Sequence, residues 1–397
     1  MSYPSVALGD VAEFIRGLTY KPADLMENFS DGSIVCMRTA NVQKTLDETD
    51  LLSIPRVLVK NQSKLLQEGD LLVSTANSWN LVGKCCWVPS LAYAAAAGGF
   101  IATLRGNQKK VDLRYLYHWF SSPDTQVDVR NCGRQTTNIS NMDISQCLAL
   151  EISLPPLPEQ RRIAAILDKA DALRAKRREA IAKLDKLLEA VFLEVFGDPV
   201  TNPKGWPMGT IGDLLDSVKY GSSEKAVLQG EIPMLRMNNL TYAGEMDLKD
   251  LKYINSDKAE EKYTVRLGDI LFNRTNSKEL VGKTAVYDGP IPMAYAGYLV
   301  RARTSPENAP EYIAAFLNSS YGKATLRAMC KSIVGMANIN AREFQAIAIP
   351  LPPSELQHKF RKGVSAVRLR KQMLNKQIST MDSLFQSLQQ RAFAGKL

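Results

Sequence analysis

The chain repeats itself. Within its 397 residues, Gly69-Asp70-Leu71-Leu72 recurs as Gly268-Asp269-Ile270-Leu271, an offset of 199. Asn77-Ser78 recurs at that offset as Asn276-Ser277, and Leu81-Val82-Gly83-Lys84 as Leu280-Val281-Gly282-Lys283. Outlying matches keep the same order: Leu8-Gly9-Asp10 with Ile211-Gly212-Asp213, Arg38 of C-M-R-T-A-N with Arg236 of M-L-R-M-N-N, and Asn138-Ile139 with Asn338-Ile339. Leu154-Pro155-Pro156 and Gln160 return as Leu351-Pro352-Pro353 and Gln357, now at an offset of 197. So small a drift needs only short loop insertions. A tandem duplication, and hence one fold built twice, is the first constraint on this chain.

Each copy opens with short β-branched and aromatic runs broken by Gly, Asn and Pro, such as Asp70 to Ser74 and Ile270 to Asn273. A helical run follows late in each, Leu113 to Phe120 and Glu311 to Leu317. The pattern predicts two α+β domains, residues 1–157 and 200–353. A proline-rich stop closes each, L-P-P-L-P-E-Q or L-P-P-S-E-L-Q, and its prolines bar a helix or a central strand before it. Pro158 suits the first helical position, and Glu159 and Glu355 suit the positive end of a helix dipole.

Residues 158–199 and 354–397 then read as two long helices, nearly free of glycine and proline apart from Gly363. In the second, Phe360, Val364, Val367, Lys371, Leu374, Ile378, Met381, Phe385 and Leu388 alternate steps of four and three, the period of a coiled-coil seam. The first gives Ile163, Leu167, Ala170, Arg174, Arg177, Ile181, Leu184, Leu188 and Val191, each 197 positions earlier. Arg174, Arg177 and Lys371 interrupt the seam with charge, as register-setting polar residues do. A helix from Pro158 to Phe196 is about 58 Å long at ~1.5 Å per residue, whereas a domain of about 150 residues is some 40 Å across. A second domain cannot easily carry the chain back to the start of the first helix. The expectation is therefore an antiparallel coiled coil joining two tandem domains with approximate two-fold symmetry.

The net charge of +9 is unevenly placed. Lys plus Arg against Asp plus Glu give 14 and 15 in residues 1–157, 9 and 8 in 158–199, 18 and 16 in 200–353, and 9 and 2 in 354–397. The excess belongs to the last helix, so the high pI says little about the two domains. The basic run Lys359, Arg361, Lys362, Arg368, Arg370, Lys371 and Lys376 reads first as a solvated face, then as a phosphate contact, then as a docking surface for an acidic partner. No secretory leader and no membrane-length apolar run is expected, which reads as a soluble cytoplasmic chain. Six cysteines without a C-x-x-C, and only two histidines, argue for reduced buried thiols and against a metal site.

Catalytic readings fare poorly. Gly282-Lys283-Thr284 lacks the glycine of a phosphate loop, position 277 being serine, and its copy Gly83-Lys84-Cys85 lacks the hydroxyl. His118 lies in L-Y-H-W-F, a setting for a packed or surface histidine, and His358 reads as solvated. No glycine-rich cofactor turn appears, Asn202-Pro203 is followed by Lys204-Gly205 rather than a methyltransferase motif, and no carboxylates are paired persuasively in both copies.

Binding readings fare better. Arg38 and Arg236, Asn41 and Asn238 to Asn239, Asn77 and Asn276, Lys84 and Lys283, and Asn138 and Asn338 are amide and basic side chains in turn-like contexts. With Arg274 they are the candidates for base edges and phosphates. Asparagines also cap turns and lysines also solvate loops, so each position alone keeps that ordinary reading. Arg134 in N-C-G-R-Q-T-T and Lys331 in K-S-I-V-G-M sit where the copies differ, and supply a basis for different base preferences.

Taken together, two such domains, each closed by a proline stop and a long helix, resemble the specificity subunits of type I restriction-modification enzymes. The most specific element is L-P-P-L-P-E-Q-R-R-I-A-A-I-L-D at Leu154 to Asp168; the second copy departs from it as L-P-P-S-E-L-Q-H-K-F. The resemblance implies a non-catalytic chain with two target recognition domains, each reading half of a bipartite double-stranded DNA site, and two spacer helices between them. It implies docking of two methylation subunits and of restriction or translocase subunits. S-adenosylmethionine, ATP and magnesium are then expected on those partners, with no cofactor in this chain.

Because the readers share a frame but differ in sequence, the site should be non-palindromic, with half-sites about one helical turn (~34 Å) or its multiples apart. The alternative is a nonspecific DNA-binding scaffold or decoy, which would bind with strong salt dependence and no sequence preference. A third reading, a nuclease or methyltransferase with an unrecognised site, predicts activity from the chain alone.

Overall fold

Both copies of the Gly-Asp-Leu/Ile-Leu tetrapeptide open a buried strand. In the computed structural model residues 3–135, 139–255, 263–333 and 336–397 are described, with Arg134, Gln135, Lys331–Ile333 and Met336 described in their backbone only. The chain divides into two compact units, residues 1–178 with 376–397, and residues 179–375. Each unit therefore takes in part of both long helices.

The first unit holds strands β1 (Ser5–Ala7), β2 (Ala12–Arg16), β3 (Ser33–Met37), β4 (Ser53–Pro55), β5 (Leu71–Ser74), β6 (Ala76–Asn77), β7 (Cys85–Trp87), β8 (Ala95–Ala97), β9 (Ile101–Gly106), β10 (Gly133–Gln135), β11 (Ser140–Met142) and β12 (Glu151–Ser153). Its helices are α1 (Leu8–Val11), α2 (Leu113–Phe120), α3 (Pro123–Asn131) and α4 (Ile144–Leu148), and α5 (Leu157–Phe196) begins in it. The strands form sheets in the orders β2-β9-β5-β7, β4-β3-β8, β10-β11-β6 and β1-β12. The β3–β8 pair is parallel and the other pairs are antiparallel.

The second unit repeats this topology with one added strand, β17. Its strands are β13 (Met208–Thr210), β14 (Leu215–Tyr220), β15 (Ile232–Leu235), β16 (Lys252–Ile254), β17 (Thr264–Val265), β18 (Ile270–Asn273), β19 (Thr275–Asn276), β20 (Thr284–Val286), β21 (Met293–Tyr295), β22 (Leu299–Thr304), β23 (Lys331–Ile333), β24 (Met336–Asn338) and β25 (Ala348–Pro350). Helices α6 (Pro310–Asn318), α7 (Ser320–Met329) and α8 (Ala341–Gln345) follow the order of α2 to α4, and α9 (Ser354–Phe393) closes the chain. The sheets are β14-β22-β18-β20, β16-β15-β21-β17, β19-β24-β23 and β13-β25, again with one parallel pair, β15–β21. The expected α+β duplication is what the chain builds.

Helix α5 starts at Leu157, so Pro158 is its second residue, still within the first turn where a missing N–H costs nothing. The signature glutamine explains why the helix leaves the domain at this point. Gln160 is buried, accepts from Asp112 N at 2.7 Å, and donates to the carbonyls of Pro155 at 2.8 Å and Lys110 at 3.3 Å. Gln357 is equally buried, accepts from Ala309 N at 3.1 Å, and donates to Pro352 O and Asn308 Oδ1, both at 3.0 Å. Each glutamine ties its long helix to the turn that precedes α2 or α6. Tyr115 and Tyr312 reinforce the joint, donating to Ser153 O and Pro350 O at 2.7 Å.

Every seam position of both helices is buried or half-buried. In the first unit Ile163 and Leu167 of α5 and Phe385 and Ala392 of α9 join the core of Leu71, Leu104, Tyr115 and Phe120. The two segments run in opposite directions there, since Arg162 reaches Leu397 O at 3.2 Å while Arg174 reaches Asp382 at 2.6 Å. In the second unit Phe192 and Phe196 meet Phe360 at centroid distances of 5.9 and 5.3 Å, while Asp185 meets Lys371. That pairing is antiparallel too, as expected.

Candidate nucleic-acid interface

The repeated N-S-x-x-L-V-G-K segment is a loop thrown out of a continuing hairpin. Ser74 N donates to Lys84 O and Gly83 N to Ser74 O, at 2.9 and 2.8 Å, and Asn273 makes the matching pair with Lys283 and Gly282. The ladder thus closes beneath the loop, freeing β6 and β19 to pair elsewhere. Gly83 and Gly282 both sit at φ +80°, and a Cβ there would lie 2.4 Å from Val129 or 2.7 Å from Leu326. Only glycine meets both demands. The motif lysines turn inward to the preceding loop: Lys84 Nζ donates to Gln43 and Lys283 Nζ to Met237 O, both at 2.5 Å. Burial lowers the Lys283 ammonium below its usual value.

The freed strands complete two small sheets. In the first, β11 lies between β10 and β6, with Arg134 opposite Asn141, Ala76 opposite Asn141, and Asn77 opposite Ser140. In the second, β24 lies between β23 and β19, with Lys331 opposite Asn338, Thr275 opposite Asn338, and Asn276 opposite Ala337. Arg134 and Lys331 therefore occupy one position, 197 residues apart, each in backbone register with an exposed asparagine on the middle strand. This register corrects the sequence alignment. The counterpart of Asn338 is Asn141, which sequence reasoning missed; Asn138 lies outside the described residues. A better signal was present two residues on, where Asp143 and Asn340 cap α4 and α8, also 197 apart.

The R-x-x-N asparagines are committed to the fold, and the arginines are ion-paired. Asn41 is buried, accepts from Arg38 N at 2.7 Å, and donates to Asp47 O and Asp50 O at 2.8 and 3.0 Å. Asn239 repeats this with Arg236 N, Asp247 O and Asp250 O at 2.8, 2.8 and 3.0 Å. Both amide protons of each are committed, which leaves none for a base. Arg38 and Arg236 pair with Asp50 and Asp250 at 2.6 and 3.0 Å, and Asn238 also donates to Asp250. The repeated Asp70 and Asp269 are structural as well, each held by two nitrogens of Arg105 or Arg303.

Asn77 and Asn276 accept from the next backbone N at 2.9 Å, and Asn77 donates weakly to Ser74 Oγ at 3.2 Å. Arg274, immediately before β19, donates through Nε to Gly297 O at 2.9 Å and packs 4.9 Å from the Tyr220 ring centre. Its Nη1 reaches Asn338 Oδ1 at 3.4 Å. Arg274, Asn276 and Asn338 thus converge on one small sheet.

His118 is packed, with Nε2 at 2.7 Å from Asp168, which also takes Arg114. Burial raises the Asp168 carboxyl, but the His118 and Arg114 hydrogen bonds outweigh it and hold the pKa at about 2. Among the described residues no cluster of His, Cys, Asp and Glu could hold a metal, and no helix is long and apolar enough to cross a membrane.

The model of the type I restriction modification DNA specificity domain matches the chain twice, over residues 3–183 and 203–380. The chain belongs to that family. It is 25% identical over 409 residues to the type I restriction enzyme EcoKI specificity subunit of Escherichia coli, covering 98% of this chain and 87% of that one. It is 25% identical over 416 residues to the StySPI specificity subunit of Salmonella potsdam, covering 100% and 89%. Two solved chains share the fold of this specificity-family member at a TM-score of 0.57. One, from a study of complex assembly and conformational transition in a type I R-M system, is 17% identical and matched over 100% of this chain and 98% of its own length. The other, the type I restriction-modification S subunit of M. genitalium, is 15% identical and matched over 99% and 96%.

Proposed function

We propose that this chain is the DNA-recognition subunit of a type I restriction-modification complex and not itself a catalyst, each copy reading one half of a bipartite, non-palindromic site. The observation that carries the reading is the double family match on one chain whose two copies keep the same small sheet. At one position of that sheet a basic residue, Arg134 or Lys331, is paired in backbone register with an exposed asparagine, Asn141 or Asn338. The antiparallel pairs β10–β11 and β23–β24 are two-stranded ribbons of the kind that fits the major groove, and Arg, Lys and Asn are the side chains that read guanine and adenine edges there. The flanking Asn77, Asn276 and Arg274 belong to the same reading surface, whereas Asn41 and Asn239 hold its supporting loop. Two methylation subunits that bring S-adenosylmethionine, and restriction or translocase subunits that bring ATP and magnesium, would act at the site so marked. The mark would be adenine methylation or cleavage.

The test is to express the chain with its methylation subunits and map methylated adenines across the host genome. The reading requires one bipartite motif. Replacing residues 1–150 by the corresponding domain of another family member should change one half of it. Uniform binding without a motif would favour a nonspecific scaffold instead.

A further inference from the structure

Each unit carries an exposed aromatic ring at the same point of the fold. Phe100, in the turn between β8 and β9, is 68% exposed, and Tyr298, 198 residues later between β21 and β22, is 53% exposed. Single exposed apolar residues are common and need no explanation. Here an aromatic ring stands at this point in both diverged copies, after Gly99 as after Gly297, although Thr75-Ala76 beside it has become Arg274-Thr275.

The turns are also fixed. Ile101 N donates to Gly98 O and Leu299 N to Ala296 O, both at 2.9 Å, closing each turn on itself. Phe100 O accepts from Thr75 N at 2.9 Å, and Tyr298 O from Arg274 N at 3.1 Å. Thr75 and Arg274 immediately precede β6 and β19, so each ring is anchored at the edge of the small sheet that bears Asn141 or Asn338. In the second unit Gly297 O also holds the Arg274 guanidinium, next to Tyr298 in the chain.

A rigidly presented ring beside amide and basic side chains offers a flat apolar face within a polar surface. Bases are the part of a nucleic acid with a matching face, and stacking on them is indifferent to their identity. Proteins that open or kink a duplex insert such side chains at a base step. Enzymes that extrude a base leave a gap where one fits.

We propose that Phe100 and Tyr298 are paired wedges, each inserting against the bases of the half-site read by its own domain. The proposal rests on the recognition reading and adds to it a contact that sets affinity and duplex opening rather than sequence. Both rings are exposed, so removing either leaves the core intact.

The test uses the full chain assembled with its methylation subunits. Photoreactive benzoylphenylalanine at position 100 should crosslink to DNA in one half-site, and at position 298 in the other. Phe100→Ala and Tyr298→Ala should each weaken binding roughly tenfold, about 1.4 kcal/mol. Each should also reduce the fluorescence change of 2-aminopurine in the matching half-site only, with the motif unchanged. Crosslinks confined to a protein subunit would overturn the wedge, as would alanine variants with undiminished affinity in a complex that still selects its site. A wild-type complex with no site preference would fail the recognition reading itself and take this proposal with it.

Discussion

Arg174 donates through Nε to Asp382 at 2.6 Å, and the pair has an equivalent in the other unit: Lys371, 197 residues after Arg174, meets Asp185, 197 residues before Asp382, at 2.5 Å. Two of the three charges that interrupt the seam, Arg174 and Lys371, are thus neutralised across it, one in each unit, while Arg177 donates to Gln377. Their second acids differ. Arg174 takes Asp171 of its own helix, whereas Lys371 takes Glu245 from a loop of the second domain. Asp382 also serves Arg178. Asp382→Ala should therefore strand Arg178 and leave Arg174 with Asp171 alone, at a cost of about 1–3 kcal/mol in chemical denaturation. Asp185→Ala should cost less, because Lys371 keeps Glu245. Negligible losses from both variants would mean that the helix pairing does not depend on these charges.

Gln160 and Gln357 make the more demanding prediction. Each is buried with both ends of its amide engaged, and no apolar side chain can replace those partners. Gln160→Ala should leave the Asp112 N–H and two carbonyls unsatisfied, destabilising the first unit by about 2–4 kcal/mol. Gln160→Leu, which restores volume but not hydrogen bonds, should recover little of that. Hydrogen exchange at the start of α5 would report the loss locally. Full recovery by leucine would show that the glutamine fills space and does not anchor the helix.

The helices and the duplication were legible because each is a periodicity, and periodicity survives divergence. Every seam residue from Ile163 to Val191 and from Phe360 to Leu388 is shielded, as the three-four spacing requires. The site was legible only in part. Asn41 and Asn77 read alike in sequence. What separates them is the path of the chain to Asp47 and Asp50, which puts two carbonyls on the Asn41 amide. Asn141 was hidden because the offset between the copies falls from 199 at Asn77 and Asn276 to 197 at Arg134 and Lys331, so matching Asn-Ile pairs, 200 apart, aligned the wrong asparagine. Phe100 and Tyr298 gave no signal, since a hydrophobic residue in a run such as G-G-F-I reads as core until the fold turns it outward.

Lys323 should reveal itself by pH. Its Nζ is buried, has no hydrogen-bond acceptor among the described residues, and lies 4.4 Å from the Tyr242 ring centre. Burial pushes its pKa down to about 8, with Arg327 and Lys283 adding to the effect. The folded value thus lies below the unfolded value of about 10.4. Folding then penalises the charged form, fully below about pH 8 and progressively less as the pH rises towards 10.4. The matching position in the first unit is Gln126, which donates to Gly83 O and Phe120 O at 3.1 and 2.8 Å. Lys323→Gln should accordingly raise the melting temperature at pH 7, and its advantage should shrink through pH 8 to 10. A gain that is constant with pH would locate the effect in packing rather than charge.

Asn338 differs from Asn141 in what holds it. Arg274 is donor-only, and its Nη1 approaches Asn338 Oδ1 at 3.4 Å, as does the Thr275 hydroxyl. With its oxygen so occupied, Asn338 has its amide protons left for DNA, which suits base acceptors such as guanine O6 and N7 or thymine O4. Asn338→Asp replaces those protons with an acceptor oxygen and should move the preference towards the amino groups of cytosine or adenine. Arg274→Met should free the amide to turn over, broadening the preference at that base pair by roughly tenfold, within the ~1–3 kcal/mol of one specific contact. Both changes should be confined to the half-site of the second domain, as read from methylated motifs of cells expressing each variant. A motif altered in both halves, or in neither, would remove Asn338 from the reading surface.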